Sequence, residues 1–121
     1  MLKMITMISR KKGMSKEAFR DHYENVHVPL SHALFPEVVR SVRNYPTTDN
    51  FHYVGAAQHP AVPCDVVTEH FFPDRETYEQ MMANFAEDPK KFRLLSDDEA
   101  KFCDKERMIM FLVDHQTSPV L

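Results

Sequence analysis

A chain of 121 residues supports one domain, residues 1–121, with a single hydrophobic core. Its 43 % hydrophobic and 27 % charged residues are those of a soluble globular protein, and a net charge of −3 with a pI near 6.1 gives no basis for nucleic acid or an anionic membrane as a partner. No apolar run approaches the roughly 18 residues of a membrane span, and the N-terminus enters strand-like sequence with no apolar signal region, so a cytoplasmic location is expected.

Leu2 to Ser9 is rich in apolar, β-compatible residues and ends at the basic turn Arg10-Lys11-Lys12-Gly13, which predicts a first strand. Ser15 then offers an N-cap, with Glu17 in the first turn, for a helix through Phe19-Arg20-Asp21-His22-Tyr23-Glu24-Asn25-Val26-His27-Val28-Pro29-Leu30. At 100° per residue, Phe19, Tyr23, Val26, Leu30 and Leu34 fall within roughly 80° of one another, with His27 at one edge and His22 at the other margin. His32 points roughly the other way, so these three histidines share no face and no metal site is expected. Pro29 lacks an N–H and disfavours a helical Val28, so the helix is expected to end or kink beside His27. There the C-terminal carbonyls favour imidazolium while partial burial favours neutral imidazole, a setting for a general acid or base near neutrality. The plainer reading makes His27 a helix-end histidine bonded to a carbonyl.

Glu37 to Tyr45, with Val38, Val39 and Val42, predicts a second strand, although its start also suits a helical turn. The stretch from Pro46 to Pro63 is long for a connection and reads as a functional or dimer-forming loop, with a short strand at Phe51 to Val54. Asp65 to Phe72 predicts a third strand with Val66, Thr68 and His70 on one face and Val67, Glu69 and Phe71 on the other. Asp74 caps a second helix in which Tyr78, Met81, Met82 and Phe85 keep helical spacing. Ser96-Asp97-Asp98-Glu99 matches a capping box for a short helix, which gives Asp98 and Glu99 a capping role. Lys105 to Asp114, around Met108 to Val113, predicts a last strand covered on both faces.

The order is β-α-β-β-α-β, that of a ferredoxin-like α+β unit: an antiparallel sheet with helices on one face. Its other face needs a cover, and a second copy packing sheet on sheet in a two-fold dimer is the expected one. Cys64 and Cys103, without metal-ligand spacing, read as reduced structural thiols. The chain contains no G-x-S-x-G, P-loop, G-x-G-x-x-G or H-E-x-x-H, and its two glycines argue against a phosphate-cradling loop, so no nucleotide or flavin is expected.

With Lys11-Lys12-Gly13-Met14-Ser15 leading into Phe19, then His22-Tyr23 and Val26-His27-Val28-Pro29-Leu30, the chain resembles the EthD-like branch of the dimeric α+β barrel superfamily. Asp65 to Phe72 and Asp97 to Asp104 support the resemblance, which covers nearly the whole chain. It implies a homodimer whose two sheets form a barrel, with a small hydrophobic cleft in each subunit between sheet and helices. Relatives span decarboxylases, dehydratases, cyclases, lactone isomerases and cofactor-free monooxygenases, so the fold does not choose the reaction. The resemblance makes His27 the position to carry over as catalytic or ligand-lining. Tyr23 stands at the motif's aromatic position, bringing a hydroxyl where many relatives have indole, and His22 stands at the polar position before it. Some barrel relatives bind haem through histidine, but nothing here favours it, and no cofactor is expected.

The leading expectation is a cofactor-free lyase, cyclase or isomerase acting on a small hydrophobic carbonyl, aromatic or polyketide-like compound. His27 serves as acid or base, Tyr23 as donor and His70 as a second titrating ring. Glu69 replaces His70 as proton acceptor if its face meets the cleft. His22, Glu69, Met81 and Met108 are the candidate ligand-lining residues. Each has a structural alternative: Tyr23 as a core tyrosine, His70 as a barrel-interior or dimer-interface histidine, and the methionines as filling for irregular core space. Two rival functions remain, a non-catalytic small-molecule binding protein and a cofactor-independent monooxygenase of phenols.

Overall fold

The computed structural model describes residues 1–47 and 63–120. Most of the long connection predicted at 46–63, including its short strand at Phe51 to Val54, lies outside the described residues.

Four strands, β1 (Leu2–Ile8), β2 (Arg40–Asn44), β3 (Val66–Phe72) and β4 (Ile109–Val113), form one antiparallel sheet in the order β2-β3-β1-β4. With the helices inserted after β1 and β3 this is the ferredoxin-like order. Its centre is set by Thr6, which stands opposite Thr68 of β3 on one side and Met110 of β4 on the other. Alternation then sorts the faces: Met4, Thr6, Ile8, Val66, Thr68 and Phe72 are buried toward the helices, and Lys3, Glu69 and Phe71 lie on the outer face. One core cluster joins Ile8 and Val66 to Phe19, Tyr23, Val28 and Phe102, and a second joins Met4 and Phe72 to Met81.

The first helical segment departs from the sequence expectation. α1 (Lys16–His22) starts at Ser15, whose hydroxyl accepts from the Ala18 N–H, but the chain neither ends nor breaks at Pro29. It widens into a π-helical turn over Tyr23–His27 and continues as α2 (Val28–Leu34), with Pro29 in the first turn of α2. Pro29 has no N–H to give the Asn25 carbonyl, and its ring would crowd that carbonyl in a regular helix; the wider turn, in which Val28 N–H reaches back to Tyr23 O, relieves both. The extra residue also changes the faces, and Val26, expected on the apolar stripe, is 46 % exposed.

α3 (Arg75–Ala86) begins at Asp74, whose side chain accepts from the Thr77 N–H. The short helix expected from Ser96 is instead the second half of a longer one, α4 (Pro89–Phe102), capped by Asp88 with Pro89 in the first turn. An aspartate cap followed by proline is the stronger start signal, and Ser96 is left in mid-helix. β4 lies at the sheet edge, and Ile109 and Phe111 on its outer side are 53 % and 41 % exposed and Met110 on its inner side 53 %, so the cover expected on both faces is incomplete in the single chain.

Candidate functional site

Between the sheet and the helices lies a cavity of about 320 Å³. Its walls are largely apolar, with Met81 and Met82 from α3, Phe85 and Phe92 toward the mouth, and Met108 and Met110 from the β4 side. Into this surface project the rings of Tyr23, His27 and His70. The three candidates for catalysis therefore meet in one place, and Met81 and Met108 also line it.

His27 is brought there by the π-turn and is 7 % exposed. Its ring lies 4.8 Å from Phe102 and 5.8 Å from Tyr23, centroid to centroid. Nδ1 donates to Asp98 Oδ2 at 2.8 Å, and an acceptor-only carboxylate there selects the Nδ1–H tautomer, leaving the Nε2 lone pair for the cavity. Burial pushes the imidazole below its ordinary range of about 6.5, while the Asp98 hydrogen bond and charge oppose that push. Neutral His27 is thus available as a base, and the imidazolium formed on accepting a proton has a counter-charge in contact.

Asp98 was assigned a capping role by its sequence context, and the structure corrects this. It is 5 % exposed in the third turn of α4 and accepts from two histidines, His27 through Oδ2 and His22 Nε2–H through Oδ1 at 3.0 Å. The expectation that His22 and His27 occupy opposite margins fails for the same reason that the helix widened: a π-turn closes i to i+5, the spacing of these two rings. His22 sits behind Asp98, stacked 5.0 Å from Phe102, and does not line the cavity, contrary to its assignment as a ligand contact. His32, expected to point away, lines the cavity and is exposed at its rim. Among the described residues no His, Cys, Asp or Glu cluster stands in a metal-ligating arrangement, since the two ring nitrogens nearest Asp98 face its oxygens at hydrogen-bond distance.

On β3 the choice between His70 and Glu69 is decided by the sheet. His70 faces the helices and lines the cavity, its Nε2 lying 3.2 Å from Thr6 Oγ1. Glu69 is on the outer face, paired with Lys3 Nζ at 2.9 Å and hydrogen-bonded by Asn44, so it cannot be the proton acceptor or a ligand contact in this cavity. Lys3 and Asn44 hold its carboxyl below the usual range. Burial drives His70 down to about 4, so its ring is neutral at physiological pH and keeps one N–H donor.

The Tyr23 hydroxyl is 2.6 Å from Thr68 Oγ1, and burial raises it to about 12, which keeps the phenol protonated. Glu99, next to Asp98 in sequence, also lines the cavity; burial raises its carboxyl, and Lys105 Nζ at 3.7 Å works against that rise. Once α4 is taken to start at Asp88, the i, i+3 and i+4 relations of Leu95, Asp98, Glu99 and Phe102 put Asp98 and Glu99 on the inward side, the signal by which they are found.

Fold and site define a ferredoxin-like α+β protein with an apolar cavity that holds a histidine–carboxylate pair. The EthD domain matches residues 11–106, and the chain belongs to the EthD family. Among solved structures it is similar to an EthD-family protein of Bacillus halodurans, at 18 % identity over 96 % of this chain and 100 % of that one, with a TM-score of 0.61. A protein of Arabidopsis thaliana matches at 12 % identity over 99 % and 100 % of the two chains, TM-score 0.63. HapK of Hahella chejuensis matches at 16 % identity over 100 % and 98 %, TM-score 0.60. At these identities the likeness is one of fold. No curated protein matches the chain.

Proposed function

We propose that the protein is a lyase, cyclase or isomerase that needs only its own side chains, acting on a small hydrophobic carbonyl or aromatic compound by proton transfer led by His27. The observation that carries this reading is the 2.8 Å contact of a buried Asp98 with the far nitrogen of a histidine whose near nitrogen is left for an apolar cavity. His27 Nε2 takes a proton from the substrate, and Asp98 stabilises the imidazolium until the proton is returned to substrate or water. The neutral rings of His70 and Tyr23 supply donors to the oxygen on which charge develops, and the methionine-rich walls exclude water. Family membership and the shape of the cavity favour a small-molecule role. Two copies paired through their outer sheet faces complete the assembly.

A nitrobenzisoxazole, flat and apolar, tests this chemistry because its ring opens when a base removes one carbon-bound proton, and the product is coloured. The protein is expected to accelerate the opening, with a rate that is level above the lowered ionisation of His27 and falls as pH drops through it. Acceleration that His27→Gln and Asp98→Asn leave unchanged, in variants that remain folded, rejects the reading. Saturable binding of the probe without any acceleration favours the rival, a binding protein using the same cavity, to which the largely apolar lining is equally suited. Oxygen uptake with phenols marks the monooxygenase alternative.

A further inference from the structure

His22 has no place in the cavity, yet it is tied to the same buried carboxylate as His27. The two oxygens of Asp98 are each taken by a different imidazole, Oδ2 by His27 at 2.8 Å and Oδ1 by His22 at 3.0 Å. Both rings rest on Phe102, at 5.0 Å for His22 and 4.8 Å for His27, so the aromatic surface keeps them at their oxygens. Their access to water differs: the His22 side chain is 20 % exposed and that of His27 is 9 % exposed. One carboxylate cannot fully compensate two imidazolium charges, so a proton on the solvent-side ring reduces what Asp98 offers the cavity-side ring.

The geometry points to His22 as a positioning residue that acts through Asp98, holding the His27 ring with Nε2 toward the cavity and making the charge of His27 answer to that of the less buried ring. The inference rests on the acid–base reading above and gives it a regulator. The other titratable groups that line the cavity with His27 are Glu99 from α4, His70 from β3, His32 from α2 and Tyr23 from its own helical segment, with Lys105 drawn toward Glu99 at 3.7 Å. Among the described residues, only Asp98 and His22 form a hydrogen-bonded line with it. The like charge of His22 adds, behind burial, to the forces that push His27 below its ordinary range.

Ring-nitrogen NMR titration of the histidines tests this without any turnover. In the unmodified chain, neutral His27 is expected to be a single Nδ1–H tautomer. His22→Gln keeps an N–H for Asp98 Oδ1 but removes the charge, and is expected to move the His27 titration upward. His22→Leu removes the donor as well, leaves Asp98 to His27 alone, and is expected to move that titration at least as far. A His27 titration that both variants leave in place, or mixed His27 tautomers in the unmodified chain, overturns the inference. Should His22→Gln fail to fold, His22→Asn, which also offers an N–H without the charge, takes its place. Absent turnover with a His27 titration that moves in His22→Gln rejects the catalytic reading and leaves this one standing; turnover with a titration that stays in place does the reverse.

Discussion

Asp98 holds the site together by filling two imidazole hydrogen bonds from a position with almost no contact with water. Replacing His27 by Ala leaves that buried charge with one partner, so His27→Ala is expected to cost about 2 kcal/mol in urea unfolding, more than a solvated helix-end histidine would cost. The variant is expected to remain folded, with probe turnover reduced at least about a hundredfold; a variant with unchanged turnover removes His27 from the mechanism. His70 makes the second prediction at this scale. Its ring is held near about 4 by burial but titrates near about 6.5 in the unfolded chain, so below the latter value the unfolded state binds more protons. Stability is therefore full above about pH 6.5 and declines as pH falls toward about 4, by as much as about 3 kcal/mol, with His27 adding in the same direction. His70→Leu is expected to flatten that decline in urea midpoints measured across this range, and an equally steep profile in the variant contradicts the assignment.

At the scale of elements, the strands and the caps at Ser15 and Asp74 were legible because each depends on local pattern: alternation for β3, an oxygen-bearing cap before a helical run for α1 and α3. What was not legible depends on choices between competing local signals. Ser96-Asp97-Asp98-Glu99 has the form of a capping box, yet Asp88-Pro89 starts the helix eight residues earlier and carries Asp98 inside, where it meets the histidines. The π-turn is invisible to a wheel drawn at 100° per residue, and with it the meeting of His22 and His27. Pattern and family resemblance pointed to His27 and Tyr23 but left open whether His70 or Glu69 faces the cleft, because alternation along β3 gives only their opposition; that His70 joins the two rings, and that Asp98 meets His27, required the packing of the sheet and of α4 against the first helical segment. The cap assignment predicts its own test. Asp88→Ala is expected to destabilise the protein by about 1 kcal/mol, while Ser96→Ala, in mid-helix, stays within about 0.5 kcal/mol of the unmodified chain in the same unfolding assay. Equal losses at the two positions, or a larger one at Ser96, contradict a helix that begins at Asp88.

At the scale of the whole molecule, the four-stranded sheet is dressed on one side and bare on the other. Helices and cavity take the face of Thr6, Thr68 and His70, while the outer face shows Ile109 and Phe111 largely exposed and Phe71 partly so, with Lys3 and Arg40 lying over the Phe71 ring. Apolar groups gathered on a sheet face with a few cations among them suit a self-complementary interface, in which each strand set packs on its two-fold copy. A carboxylate introduced at the centre of such an interface loses both the buried ring and its hydration. On the two-fold dimer proposed above, Phe111→Glu is therefore expected to weaken association by at least about a hundredfold, roughly 3 kcal/mol, and to shift sedimentation from dimer to monomer at micromolar concentration. Because Phe111 points away from the cavity, the monomeric variant is expected to keep its fold and the His27 ionisation, so that turnover per chain stays close to that of the unmodified protein. A variant that stays dimeric places the interface elsewhere; one that becomes monomeric and loses turnover shows that the second copy reaches through the sheet to support His27, and the cavity is then the property of the pair.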